Sequence, residues 1–115
     1  MQVSKIFLFE AAHQLTQYHG ACENLHGHTY QLIVTVEGEV GDDGMTFDFT
    51  LLKRIVKEEI VDRLDHTYLN DLLENPSAEN LVLWMWPRLA EKLPVRLHEL
   101  QLWETRTSYV TYRGE

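Results

Sequence analysis

Positive charge is scarce in this chain. Ten Lys and Arg stand against 18 Asp and Glu, a formal charge of -8 with neutral histidines. A nucleic-acid groove needs clustered basic side chains, so no nucleic-acid partner is expected. A small phosphorylated substrate held by one local Lys or Arg remains compatible with that balance. Cysteine is scarcer still: the lone Cys22 can form no internal disulfide and is either a structural thiol or a reactive one. No stretch approaches the roughly 18 apolar residues of a membrane span. The start, MQVSKIFLFEAAHQL, lacks the long apolar core of a secretory leader. No repeat, low-complexity tract or linker divides the chain. The expectation is one cytoplasmic domain over residues 1–115 with no membrane partner. At this size a deep pocket would easily require neighbouring subunits.

What is present is strong periodicity. Val3, Phe7, Phe9, Ala11 and His13 share one parity, interrupted by Lys5, and predict a strand over 3–13. Tyr30, Leu32, Val34 and Val36 alternate again over 28–36, with Ile33 as the exception. The run GEVGDDGM (38–45) reads as a turn, with a hairpin tip as one form of it. From Leu51 to Leu64 the spacing turns helical, with Leu52, Ile55, Val56, Ile60 and Leu64 in a stripe and Asp48 or Thr50 as cap. A second helix is predicted over 78–92, capped by Ser77, with a kink or break at Pro87. Leu100 and Leu102 share a face with Glu104 and, counted backwards, with His98; SYVTYR (108–113) makes a last strand. Four antiparallel strands with two helices on one face would hide both helical stripes. The other sheet face is then left to solvent or to other subunits.

The chemistry-bearing residues concentrate in CENLHGH (22–28). His26 and His28, two apart on a strand, project from the same face and make a two-point metal clamp. His13, at the end of the first strand, is the better-placed third ligand; His19, in the intervening loop, is a competitor. Three imidazoles leave a fourth position for water or substrate, the catalytic form of a zinc site. Ordinary surface histidines are the bland alternative. Cys22 near a cation would have thiolate character and could act as base or nucleophile. Glu23 is an alternative base, acting directly or through water. Asp65 and His66 read as a carboxylate–imidazole pair in which the acid sets the ring tautomer. A helix-end histidine beside a capping carboxylate fits the same letters. Glu104, on an apolar parity, needs a partner. It could receive two parallel N–H bonds from a ligand edge such as that of a pterin, or pair with Arg106 or Arg113.

Taken together, FEAAH (9–13), C-x-x-x-HGH (22–28), LDHTYLND (64–71), NPSAEN (75–80) and WETRTS (103–108) resemble the 6-pyruvoyltetrahydropterin synthase family. The branch most resembled is the bacterial 6-carboxytetrahydropterin synthases of queuosine biosynthesis. The resemblance spans essentially the whole chain, through the terminal YRGE. It implies an α+β tunnelling fold, with a four-stranded antiparallel sheet and two helices on one face. Trimers around a sheet barrel would stack as a homo-hexamer with active sites at subunit interfaces. It implies a Zn2+ cofactor on His13, His26 and His28, and a catalytic Cys22 supported by Asp65 and His66 across an interface. Glu104 would anchor the pterin, with Ser77 and Glu79 helping to line the pocket. The implied reaction converts 7,8-dihydroneopterin triphosphate to 6-carboxy-5,6,7,8-tetrahydropterin. CENLHGH also satisfies E-x-x-HGH, the pattern of a folate-linked subgroup in which Glu23 takes over and the side chain is cleaved to 6-hydroxymethyl-7,8-dihydropterin. Pyruvoyl-type synthase activity is a further alternative, and a zinc-dependent pterin-binding protein the non-catalytic one.

Overall fold

The computed structural model describes residues 1–16, 18 and 24–115. Strand β1 (Gln2–His13) pairs antiparallel with β2 (His26–Glu37), and β2 with β4 (Arg96–Trp103), which pairs antiparallel with β5 (Tyr109–Tyr112). A two-residue strand, β3 (Thr67–Tyr68), adds in parallel to β1 at Ala11 and Ala12. The sheet therefore has five strands in the order β3-β1-β2-β4-β5. The expected four are its antiparallel body, and β3 is an addition too short to show any periodicity.

The alternation read from the letters is the alternation of the faces. Phe9, Ala11, Tyr30, Leu32, Val34, Val36, Leu100 and Leu102 are buried in one core with the helices. On the opposite face Ile6 and Leu8 stay 58% and 62% exposed. Parity fails at one place. The β2–β4 register jumps from Thr35↔Glu99 to Val36↔Leu97, so a bulge at His98 inserts one extra residue in β4. Leu97, not His98, is buried on the core side, and His98 sits beside Gln2 and Glu37 instead.

Helix α1 (Phe49–Val56) starts at Asp48, whose Oδ1 accepts the Thr50 N–H at 3.0 Å. It runs without interruption through a π turn, Lys57–Val61, into α2 (Asp62–Leu64). Leu52, Val56, Ile60 and Leu64 are all fully buried. They recur every fourth residue, and each such step overshoots a 3.6-residue turn by about 40°. The wider π turn takes part of that drift back, which keeps the four side chains on the sheet. Helix α3 (Ala78–Lys92) is capped by Ser77 Oγ, which accepts the Asn80 N–H at 3.1 Å. It continues unbroken through Pro87, against the expected interruption. The carbonyl that loses its donor to Pro87 is that of Leu83, a residue 51% exposed, so water can serve it. The 38–45 segment is not a hairpin tip: it leads from β2 into α1, closed on itself by Gly41 N–H to the Met45 carbonyl (2.9 Å).

Candidate metal centre and active site

Pairing of β1 with β2 sets His13 directly opposite His26 and Ala11 opposite His28. All three imidazoles thus emerge from adjacent positions of one sheet face. Their ligand atoms lie within 4.8 Å of one another. The rings meet edge to face, with centroids 4.6 Å apart for His13–His26 and His26–His28 and 5.0 Å for His13–His28. His13 is fully buried.

The backbone dictates how two of these rings are protonated. His13 Nδ1 lies 2.9 Å from the Pro76 carbonyl and His26 Nδ1 lies 2.8 Å from the Asn24 carbonyl. A carbonyl only accepts, so both Nδ1 atoms are donors. In the neutral rings each Nε2 then carries a lone pair, and these two nitrogens are 2.9 Å apart. Two lone pairs at that separation repel unless a cation lies against them. The donor set fits a divalent metal of the zinc type: three imidazoles, no further protein ligand required, and an open position for exchangeable oxygen. Orientation of a ligating imidazole by a carbonyl on its other nitrogen is the usual second-shell arrangement.

Two neighbours of the triad carried different expectations. Tyr30, not singled out for chemistry, stacks on Phe9 at 5.0 Å and turns its hydroxyl to His13 Nδ1 at 3.3 Å. Its position on the His26 and His28 parity was the available signal. Glu104, half-buried just beyond β4, places Oε1 3.5 Å from His28 Nε2. Arg113 pairs with Glu99 instead, at 2.9 Å. Glu104 also lines a cavity of about 190 Å3 with Glu79, Ser108 and Tyr109. Ser77 is engaged as the α3 cap.

The Asp65–His66 pair lies on the turn between α2 and β3 and is tied to β1. The Glu10 N–H donates to Asp65 Oδ1 at 2.9 Å, and the His66 N–H donates to the Glu10 carbonyl at 2.6 Å. Asp65 Oδ2 is left 3.5 Å from His66 Nε2. His66 adopts φ 60°, a conformation non-glycine residues rarely take. Its side chain is 75% exposed. Sequence reasoning gave Asp65 the single task of orienting His66; in the structure one carboxylate oxygen is already used by the β1 backbone. Cys22, Glu23 and His19 lie outside the described residues.

The family profile of 6-pyruvoyl tetrahydropterin synthase matches residues 2–115. The chain belongs to that family. It is a pterin-processing enzyme of the 6-pyruvoyl tetrahydropterin synthase family with a tunnelling fold. A 6-carboxy-5,6,7,8-tetrahydropterin synthase from Synechocystis is 38% identical over 96% of this chain and 91% of its own length. A dihydroneopterin monophosphate aldolase from Pyrococcus furiosus is 44% identical over 84% of this chain and 82% of its own. In structure, a 6-pyruvoyl tetrahydropterin synthase from Caenorhabditis elegans superimposes with a TM-score of 0.88 at 24% identity, covering 100% of this chain and 96% of the other. The relatives thus agree on family and fold and divide on the reaction.

Proposed function

We propose that this member of the family is a zinc-dependent carbon–oxygen lyase. It converts 7,8-dihydroneopterin triphosphate to 6-carboxy-5,6,7,8-tetrahydropterin with loss of triphosphate and acetaldehyde, a step of queuosine synthesis. The observation that carries this reading is the adjacency of Glu104 to the triad, 3.5 Å from His28. A pterin held by its N–H edge on that carboxylate would present its C6 side chain beside the metal position.

His13, His26 and His28 would hold the zinc, which when bound supplies Lewis-acid stabilisation of negative charge developing on side-chain oxygens. Glu104 accepts the paired N–H groups of the pterin and fixes the ring. Cys22 removes the proton made acidic at the side chain, and His66 returns or relays one. His66 is displayed outward, with 75% of its side chain exposed. That supports its working on the pocket of a neighbouring copy, in a homo-oligomer of hexameric form. The uncovered Ile6 and Leu8 on the open sheet face support the same assembly.

A second reading has a specific support. Glu23 stands three residues before HGH, and the Pyrococcus relative carries the name of an aldolase. In that reading Glu23 is the base and the side chain is cleaved to 6-hydroxymethyl-7,8-dihydropterin. The deciding experiment offers zinc-loaded protein 7,8-dihydroneopterin, its monophosphate and its triphosphate, and reads the pterin products by mass spectrometry. A carboxypterin lost in Cys22→Ala and kept in Glu23→Ala is the expected result. A hydroxymethylpterin lost in Glu23→Ala would replace the first reading by the second.

A further inference from the structure

The triad is set from behind by a loop that holds no ligand. We propose that Asn75 and Asn80 are positioning residues for the metal centre, acting through the Pro76 carbonyl on His13. The inference rests on the reading of His13, His26 and His28 as metal ligands and adds to it the element that sets their affinity.

The connections are short and directional. The Pro76 carbonyl receives His13 Nδ1–H at 2.9 Å inside the core, which turns Nε2 toward His26. The peptide on one side of Pro76 is pinned twice: the Asn75 carbonyl accepts the Asn80 Nδ2–H at 2.8 Å and the Ser77 N–H at 2.9 Å. On the other side Ser77 caps α3. Asn75 also reaches the strand end that carries the ligand, its Oδ1 accepting the Thr16 N–H at 3.1 Å. The ring of His13 and the chain three residues beyond it are therefore held by one loop. That loop is fixed in turn to the first turn of α3. A ring aimed by such a chain loses no orientational freedom on binding the ion, and its Nε2 is kept as the acceptor. Outer contacts of this kind set metal affinity by about 10- to 100-fold.

Asn70 offers an internal control. It makes two bonds to the same strand end, accepting the Gln14 N–H at 2.9 Å and donating to the Gln14 carbonyl at 2.8 Å. It makes none of the bonds that hold Pro76. The test measures Zn2+ affinity by competition with a chromophoric chelator, and the absorption spectrum of the Co2+-substituted protein, for five forms. Asn75→Ala and Asn80→Asp should bind Zn2+ about 10-fold more weakly and shift the Co2+ bands, since the latter keeps its shape but replaces the Nδ2 donor by an acceptor. Asn75→Asp keeps the Oδ1 acceptor and should restore the parent spectrum. Asn70→Ala should melt lower with parent affinity and spectrum. Parent-like Zn2+ affinity in both Asn75→Ala and Asn80→Asp overturns the proposal while leaving the metal site standing. So does an equal loss in Asn70→Ala, which would mark a general structural effect. A parent protein that binds neither ion overturns the metal reading and this inference together.

Discussion

The chain carries two histidine assemblies of opposite construction. His13, His26 and His28 stand on the two best-paired strands, with His13 wholly buried and two of the rings aimed by backbone carbonyls. His66 stands on a turn in a left-handed conformation, held through its own N–H and its aspartate neighbour while its ring is left in solvent. The first assembly is complete within one chain. The second is rigidly presented but unfinished, which is how a group looks when its substrate sits on another surface. Rigid backbone with an exposed ring separates positioning from burial, and the strained φ at His66 is the mark of that arrangement.

The comparison breaks most severely at His13. His13→Ala removes the buried ligand and should abolish stoichiometric zinc, measured by atomic emission, together with all turnover. His66→Ala should leave zinc content and fold intact while lowering kcat by about 10²- to 10⁴-fold, the usual range for a lost acid–base group. Loss of zinc in that variant would erase the distinction between the assemblies. Mixing His66→Ala with Cys22→Ala protein sharpens it: recovered activity in mixed oligomers is expected if each site borrows His66 from a neighbour. Tyr30→Phe removes the hydroxyl 3.3 Å from His13 Nδ1 and should lower stability by about 1 kcal/mol in urea denaturation. His66→Gly should be inactive yet no less stable than the parent, because glycine takes the positive φ without steric cost. At the small end, Lys57 donates to Asp62 Oδ1 at 2.8 Å across the π turn, and that carboxylate holds the ammonium above its ordinary pKa. The pair is exposed, so Asp62→Asn should shift the melting temperature by no measurable amount.

Legibility followed the range of the interaction. The strand and helix stripes, the Asp48 and Ser77 caps and the partnership of His13 with H-x-H were readable, since alternation and capping depend on neighbours a few residues apart. His98 was misplaced because one inserted residue reverses parity, and a bulge is chosen by the partner strand rather than by local letters. Pro87 misled in the other direction: a missing N–H breaks a helix only where nothing else serves the orphaned carbonyl. Glu104 was rightly held to need a partner, yet that partner came from a strand 76 positions away in the sequence, His28, and neither arginine considered supplied it.

By itself the order of amino acids determined which side chains face the core, where the helices begin, and that three histidines would share a face. Those properties follow from the periods of strand and helix, which every residue obeys independently of the rest of the molecule. Only the tertiary structure decided which nitrogen of His13 carries the proton and that Asp65 spends an oxygen on β1. It alone decided that the loop at Pro76 stands behind the metal position. Each of these is a contact between segments more than 50 residues apart, brought together by burial of the common core, and no local pattern encodes where such segments meet.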